Sequence, residues 1–263
     1  MARALGIDIG GTGIKGAVVE ARSGRLVTER ERIATPHPAT VDAVVEVVRE
    51  IVVDEGWSGP LGVTVPGVVQ AGVVRTAANL DPSWIGVDAA EQFGAATGCP
   101  TGVLNDADAA GLAEVRFGAG RGVAGTVLLL TFGTGIGSAL FRDGVLVPNT
   151  ELGHLQLRGR DAEARAASSV KERKGWSWKK WVGHVNEYLE VIDDLVWPDL
   201  VIAGGGVSRK FDTWGPYIDS RIPVVPAALE NAAGLVGAAL HAPTAGSSRS
   251  ARPRATASRP AGT

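Results

Sequence analysis

Asp8-Ile9-Gly10-Gly11-Thr12-Gly13-Ile14-Lys15 is the stretch from which the fold can be read, because the chain contains its Gly-Thr-Gly-Ile core twice. Gly11-Thr12-Gly13-Ile14 returns 122 residues later as Gly133-Thr134-Gly135-Ile136, inside Phe132-Gly133-Thr134-Gly135-Ile136-Gly137-Ser138-Ala139-Leu140. In each copy a short apolar run, Leu5–Ile9 or Val127–Thr131, enters a glycine turn. A second run, such as Ile14–Glu20, leaves it, which predicts paired strands around the turn. The offset is about half of the structured body. Two related α/β halves facing each other across a cleft follow from that spacing.

Further elements fit the same plan. Leu61–Val65 reads as an apolar strand. Val103–Leu104 ends a strand at Asn105-Asp106, and Ala107–Phe117 follows as a helix. Val41, Val44, Val45, Val48, Ile51 and Val52 keep helical spacing between an N-cap at Thr40 and Gly56 past the end. Ser177 caps a helix whose Trp178, Trp181, Val182, Val185, Leu189 and Ile192 share one face. Asp199–Ala203 is a strand running into Gly204-Gly205-Gly206, and Asn231–Leu240 is a helix of small residues.

Composition bounds the function. The 263 residues are 45% apolar and 21% charged, which suits one soluble body or two small domains sharing a crevice. A single cysteine, Cys99, excludes a disulfide framework and a Cys-based zinc site. The 36 glycines are about twice the usual share but show no G-X-Y period. A net charge of −2 argues against general nucleic-acid binding. Gly122–Phe141 is uncharged over 20 residues, a membrane-span length, yet five glycines interrupt it as a strand–turn–strand would. Met1–Leu5 runs straight into a strand with no secretory pattern, so a cytoplasmic protein is expected. Ala242–Thr263 has no apolar residue larger than alanine and four arginines, and is expected to be a disordered tail.

Three constellations and one patch carry chemistry. A glycine turn between strands exposes successive backbone N–H groups and makes a concavity for phosphate. Beside it Asp8 could hold Mg²⁺ through water, while Thr12 and Lys15 donate to phosphoryl oxygens. The spacing is not that of a Walker A loop. It is not a Rossmann fingerprint either, since a strand follows the turn. A hairpin without ligand is the alternative, weakened by the second copy and by the third glycine cluster at 204–206.

Asn105-Asp106 opens a helix at a strand's carboxyl end, where ligands of open α/β sheets sit. A carboxylate there can take a proton from a hydroxyl attacking a phosphoryl group. Asp108 is a competitor for that role, and Asp106 could instead be a plain N-cap. Glu151-Leu152-Gly153-His154 is half of a carboxylate-bridged dimetal motif, but His37, His184 and His241 supply no second half. A carboxylate beside an imidazole suits adjacent sugar hydroxyls; a lone core histidine is the alternative. Lys171, Arg173, Lys174, Lys179 and Lys180 stand against one acid, Glu172. They read either as a solvated face or as a row of cations for a linear polyanion, with Trp176, Trp178 and Trp181 as packing residues.

The order Asp8-Ile9-Gly10-Gly11-Thr12, Pro66-Gly67, Asn105-Asp106, Gly133-Thr134-Gly135, Glu151-x-x-His154 and Gly204-Gly205-Gly206 resembles the ROK family (repressors, open reading frames, kinases) from Leu5 to Leu240. Ala162-Glu163 through Ser169-Val170-Lys171-Glu172-Arg173, then Trp178-Lys179-Lys180-Trp181, is similar to its polyphosphate glucokinase branch. The resemblance implies an actin-like (ribonuclease H-like) duplicated two-domain sugar kinase acting on the 6-hydroxyl of glucose. It implies a small domain of 1–108 plus about 230–241, a large one of 109–229, and a homodimer.

By the matching positions Asp106 is the general base, and Asn105, Glu151, His154, Gly67 and Glu163 hold the sugar. Asp8, Gly10, Gly11, Thr12 and Lys15 with Gly133, Thr134 and Gly135 handle phosphate, and Gly204, Gly205 and Gly206 lie beside a nucleotide. Polyphosphate, with ATP as a further donor, brings Mg²⁺, and the basic segment carries the long chain. The three-cysteine motif found after the histidine in many members is missing, so no zinc is expected. The second sugar glutamate is then Glu163, with Glu172 as its rival. The other readings are an ATP-only glucokinase or glucomannokinase, a sugar-sensing repressor, and an actin-like ATPase. A repressor would need a DNA-binding segment ahead of residue 8.

Overall fold

The computed structural model describes residues 3–77 and 80–244. Its first half begins with the hairpin of β1 (Arg3–Gly10) and β2 (Gly13–Glu20), and β3 (Arg25–Leu26) and β4 (Glu31–Ile33) both pair with β2. Helix α1 (Val41–Asp54) leads to β5 (Leu61–Val65), parallel to β1. A small hairpin, β6 (Val69–Gln70) and β7 (Val73–Val74), and α2 (Ala89–Thr97) precede β8 (Thr101–Asn105), parallel to β5. Helix α3 (Asp106–Phe117) opens at the end of β8.

The second half repeats the walk with β9 (Thr126–Phe132), β10 (Ile136–Arg142) and β11 (Val145–Val147). An insertion follows: the hairpin of β12 (Gln156–Leu157) and β13 (Arg160–Asp161), then α4 (Glu163–Ala166), α5 (Ser168–Lys174) and α6 (Trp178–Val196). The sheet resumes with β14 (Leu200–Gly204), then α7 (Phe211–Trp214), β15 (Val224–Pro226) and the final helix α8 (Ala233–His241). The sheet orders are β3-β2-β1-β5-β8 and β11-β10-β9-β14-β15. Each is an antiparallel meander with two parallel strands added beside its first strand. The expected duplication is therefore a duplication of topology. The uncharged stretch Gly122–Phe141 is mostly the β9–β10 hairpin, and among the described residues no helix is long and apolar enough to cross a membrane.

Strand alternation assigns the layers. Leu128, Leu130 and Phe132 face the core of α6, with Trp181, Val185 and Leu189, whereas Val127 and Leu129 face Phe141 and Ile202 on the opposite side. On the first sheet Leu5, Ile7 and Ile9 pack with Val44, Val48 and Ile51 of α1. Between the sheets lie α8, against β1 and β5, and α3, against β9 and β10. The two helices meet where a Cβ on Gly237 would stand 1.7 Å from the Ala109 carbonyl, so only glycine permits this crossing. The division expected after residue 108 falls inside the first turn of α3, one continuous helix. Residues 245–263 of the expected tail lie outside the described residues, while Ala242 is buried with α8.

Candidate active site

A cleft of about 610 Å³ lies between the two sheets, floored by the carboxyl ends of β1, β5, β8 and β9. Of the residues expected from the sequence, Gly10, Gly11, Gly67, Asn105, Asp106, Gly133, Thr134, Gly135, Glu151, His154 and Glu163 all line it. Glu172 is not among the lining residues. Thr76, Thr131 and Ser138 also face the cleft and were not anticipated.

Asp106 occupies the first position of α3, but it is not the cap. Asn105 is, its Oδ1 accepting the N–H groups of Ala107 (2.8 Å) and Asp108 (3.0 Å) while its Nδ2 donates to the Gly67 carbonyl (3.1 Å). The plain N-cap reading of Asp106 is thereby excluded, and its carboxylate accepts the Ala107 N–H (2.9 Å). Burial, with the charges of Asp8 and Glu151 added, pushes the Asp106 carboxyl up to about 7. That value suits a base at neutral pH. Asp108 points away from the cleft, 1% exposed, with Oδ2 accepting the Asn149 N–H (2.9 Å). Burial raises its carboxyl to about 6.

Across the cleft, His154 Nδ1 faces Asp161 Oδ2 at 2.9 Å and Nε2 faces Glu151 Oε2 at 3.7 Å. The hydrogen bond to Asp161 raises the imidazole's pKa, and burial raises that of Glu151. Glu163 Oε2 accepts the Ile136 N–H (3.1 Å) and lies against the second glycine turn. His154, Asp161 and Glu163 also bring one ligand-type atom each within 4.8 Å of one another, the one grouping of that kind among the described residues. His154 and Glu163 line the cleft as polar groups suited to hydroxyls, with Asp161 in the adjoining recess.

The first glycine turn carries charge. Asp8 sits below it, accepting from Lys15 Nζ (2.8 Å) and from Thr64 Oγ1 (3.1 Å), so the Lys15 ammonium is engaged by Asp8. Arg32, on β4, donates to the Thr12 carbonyl (2.9 Å) and lies over Gly13, while the Thr35 hydroxyl holds the Gly10 carbonyl. No local motif marks Arg32; pairing of β4 with β2, which sets Arg32 opposite Lys15, brings it there.

The second turn is tethered by the start of α5. Ser168 Oγ donates to the Gly133 carbonyl (3.1 Å) and Ser169 Oγ to that of Thr134 (2.7 Å). Gly205 packs on the backbone of Phe132, which brings the 204–206 cluster beside the same turn. The helix that carries the first half of the basic segment therefore starts at the second glycine turn. Arg173 and Arg160 line a recess next to Thr134, Lys174 and Lys179 are exposed, and Lys171 and Lys180 lie over Trp178 (3.9 Å) and Trp176 (5.2 Å). Trp181 is fully buried, and Trp178 packs edge-on against it.

Comparison with known proteins agrees with this geometry. The sequence pattern of the ROK family matches residues 4–173. A polyphosphate glucokinase of Mycobacterium tuberculosis is 57% identical over 237 residues, covering 90% of this chain and 89% of its own. The crystal structure of an inorganic polyphosphate/ATP-glucomannokinase from Arthrobacter superposes with a TM-score of 0.87 at 49% identity, covering 91% of this chain and 98% of that one. A ROK family glucokinase from Streptomyces griseus, solved with glucose and AMPPNP, gives 0.75 at 26% identity, over 90% and 98% of the two chains. With topology, cleft and sequence in agreement, the chain belongs to the ROK family and has the actin-like fold of its sugar kinases.

Proposed function

We propose that this protein is a polyphosphate-dependent glucokinase that also uses ATP, transferring a phosphoryl group to the 6-hydroxyl of glucose. The observation that carries it is Asp106, a carboxylate raised to about 7 at the point where two glycine turns meet a set of sugar-type hydrogen-bonding groups. Glucose lies with its hydroxyls toward Glu151, His154 and Glu163 and its 6-hydroxyl toward Asp106. Asn105 and Gly67, bonded to each other, hold the wall between them.

Asp106 takes the hydroxyl proton as the oxygen attacks the terminal phosphorus. The bond from that phosphorus to the bridging oxygen breaks, and the shortened chain leaves with the electron pair. The first glycine turn at Gly10–Thr12 and the second at Thr134–Gly135, with Arg32 and the Asp8-paired Lys15 nearby, would face the donor's charge, and Gly204–Gly206 would border a nucleotide. Mg²⁺ bound with the donor would supply further neutralisation. Asp8 offers the hard oxygen donors such an ion requires, and would hold it through water. The basic segment from Lys171 to Lys180 carries the long chain toward Thr134.

The Arthrobacter likeness supports mannose as a second acceptor. A homodimer in the cytoplasm completes the reading, and the first of these is tested by sedimentation. The test of the mechanism is Asp106→Asn, whose amide keeps the shape but cannot take the proton. It should lower kcat by roughly 10²–10⁴-fold while glucose still binds. A near-normal kcat in this variant, or a dead Asp108→Asn, would overturn the assignment.

A further inference from the structure

Five residues on three segments close a ring of hydrogen bonds behind the sugar side of the cleft. Asn105 grips the Gly67 carbonyl with Nδ2 (3.1 Å) and the Asp108 N–H with Oδ1 (3.0 Å). Asp108 Oδ2 accepts the Asn149 N–H (2.9 Å). Asn149 in turn pairs its side-chain amide with both backbone groups of Val69, accepting from its N–H (2.9 Å) and donating to its carbonyl (2.9 Å). Val69 is two residues from Gly67, which completes the circuit. Each arc of it delivers a cleft residue: Asp106 from α3, Gly67 from the turn before β6, and Glu151 from the loop after Asn149.

We infer that Asp108 and Asn149 are positioning residues that fix the base and the sugar-binding groups of the two halves relative to one another. The inference rests on the glucokinase reading and deepens it. Asn149 is suited to the task because its backbone is left-handed (φ 59°), a conformation asparagine tolerates while presenting its amide sideways to a strand. Asp108 Oδ1 is buried without a protein partner, so the carboxylate is held for the single bond that Oδ2 makes. Neither residue touches the donor side. Loss of the ring should therefore appear in the sugar and not in the phosphoryl donor.

The probe is Asn149→Gly, which keeps the left-handed backbone and removes the amide. Glucose affinity by calorimetry and its KM should weaken roughly tenfold, while KM for ATP and for polyphosphate stays within about twofold. Asp108→Ala should reproduce this pattern, and Asp108→Asn, whose amide oxygen still accepts the Asn149 N–H, should restore wild-type glucose affinity. Unchanged glucose affinity in Asn149→Gly and Asp108→Ala overturns the inference, as does an equal rise in both donor and glucose KM. If Asn149→Gly does not fold, the Asp108→Ala and Asp108→Asn pair decides alone. A wild-type protein that binds no glucose takes down the functional reading and the inference together; wild-type binding with unaltered variants takes down only the inference.

Discussion

The two glycine turns are equivalent in sequence and topology but keep opposite company. At the equivalent positions Gly13 and Gly135, an added Cβ would stand 2.7 Å from the Arg32 guanidinium and 2.4 Å from a Glu163 carboxylate oxygen. Each glycine thus makes room for a side chain from elsewhere, a cation in one half and an anion in the other. The strands differ likewise. Asp8 and Lys15 pair across the first hairpin, whereas their counterparts by the 122-residue offset are Leu130 and Gly137. The second hairpin closes Phe132 on Ile136 around three residues, against two residues between Gly10 and Gly13 in the first. Both copies keep Gly-Thr-Gly-Ile, while the loop length and the surrounding side chains differ. The first turn, with Arg32 and Lys15, is dressed for an anion. The second, in the proposed function, serves the donor on its α5 side and the sugar on its Glu163 side.

The charge asymmetry should be visible in the pH profile. Asp106 must be ionised to accept a proton, and its value near 7 is raised by burial and by Asp8. Below pH 7, kcat/KM for glucose should fall about tenfold per unit, hence roughly a hundredfold by pH 5. Asp8→Asn removes a like charge and should move this acid limb to lower pH in whatever rate remains. A limb that stays in place would show that Asp8 does not act on Asp106.

Gly135→Ala comes next in size. Glu163 is tied to the Ile136 N–H and has little freedom to retreat, so displacing it should raise KM for glucose roughly tenfold with a smaller effect on ATP. A rise confined to the donor would reverse the division of labour. Charge reversal of Lys171, Lys179 and Lys180 should raise KM for long polyphosphate several-fold, about one exposed contact's worth per residue, with ATP much less affected. Added salt should act in the same direction. Equal damage to both donors would assign the segment to the fold. Gly13→Ala should be mildest, about twofold to fivefold on donor KM, because a guanidinium at the end of a flexible stem can shift aside. A larger effect than that of Gly135→Ala would contradict the comparison.

Legibility in the sequence followed the range of the interactions. The hairpin strands, α1 and α6 were readable because their apolar period or caps are local, with Thr40 and Ser177 accepting backbone N–H groups, and α3 because it opens at Asn105-Asp106 on a strand's end. Helix α2 was missed although Asp88 and Gly98 bound it, since its buried face is mostly alanine and gives a weak period. Tyr188 escaped the α6 face because a tyrosine hydroxyl argues for solvent, yet its ring is fully buried and burial raises its pKa. Gly10, Gly11, Asn105, Asp106, Gly133–Gly135, Glu151 and His154, which line the cleft, were singled out because each shares a motif with its neighbours; Asp8, Thr12, Lys15 and Gly204–Gly206, singled out in the same way, are not among its lining residues. Arg32, Asn149 and the serines of α5 were not singled out, because each reaches its place through a contact 20 or more residues distant. Asn105 and Asp106 were both singled out, but which of the two caps α3 was settled only by the direction of their side chains.

The most direct test of the whole account is a parallel assay of the purified protein with glucose and Mg²⁺, supplied with long-chain polyphosphate, with ATP, or with neither. Glucose 6-phosphate should form with polyphosphate and with ATP and be absent without a donor. Its formation from polyphosphate should weaken more steeply with added salt. Product from ATP alone would reduce the protein to a nucleotide-dependent sugar kinase and return the basic segment to a solvated face. No product from either donor, with glucose bound, would contradict the account at its centre.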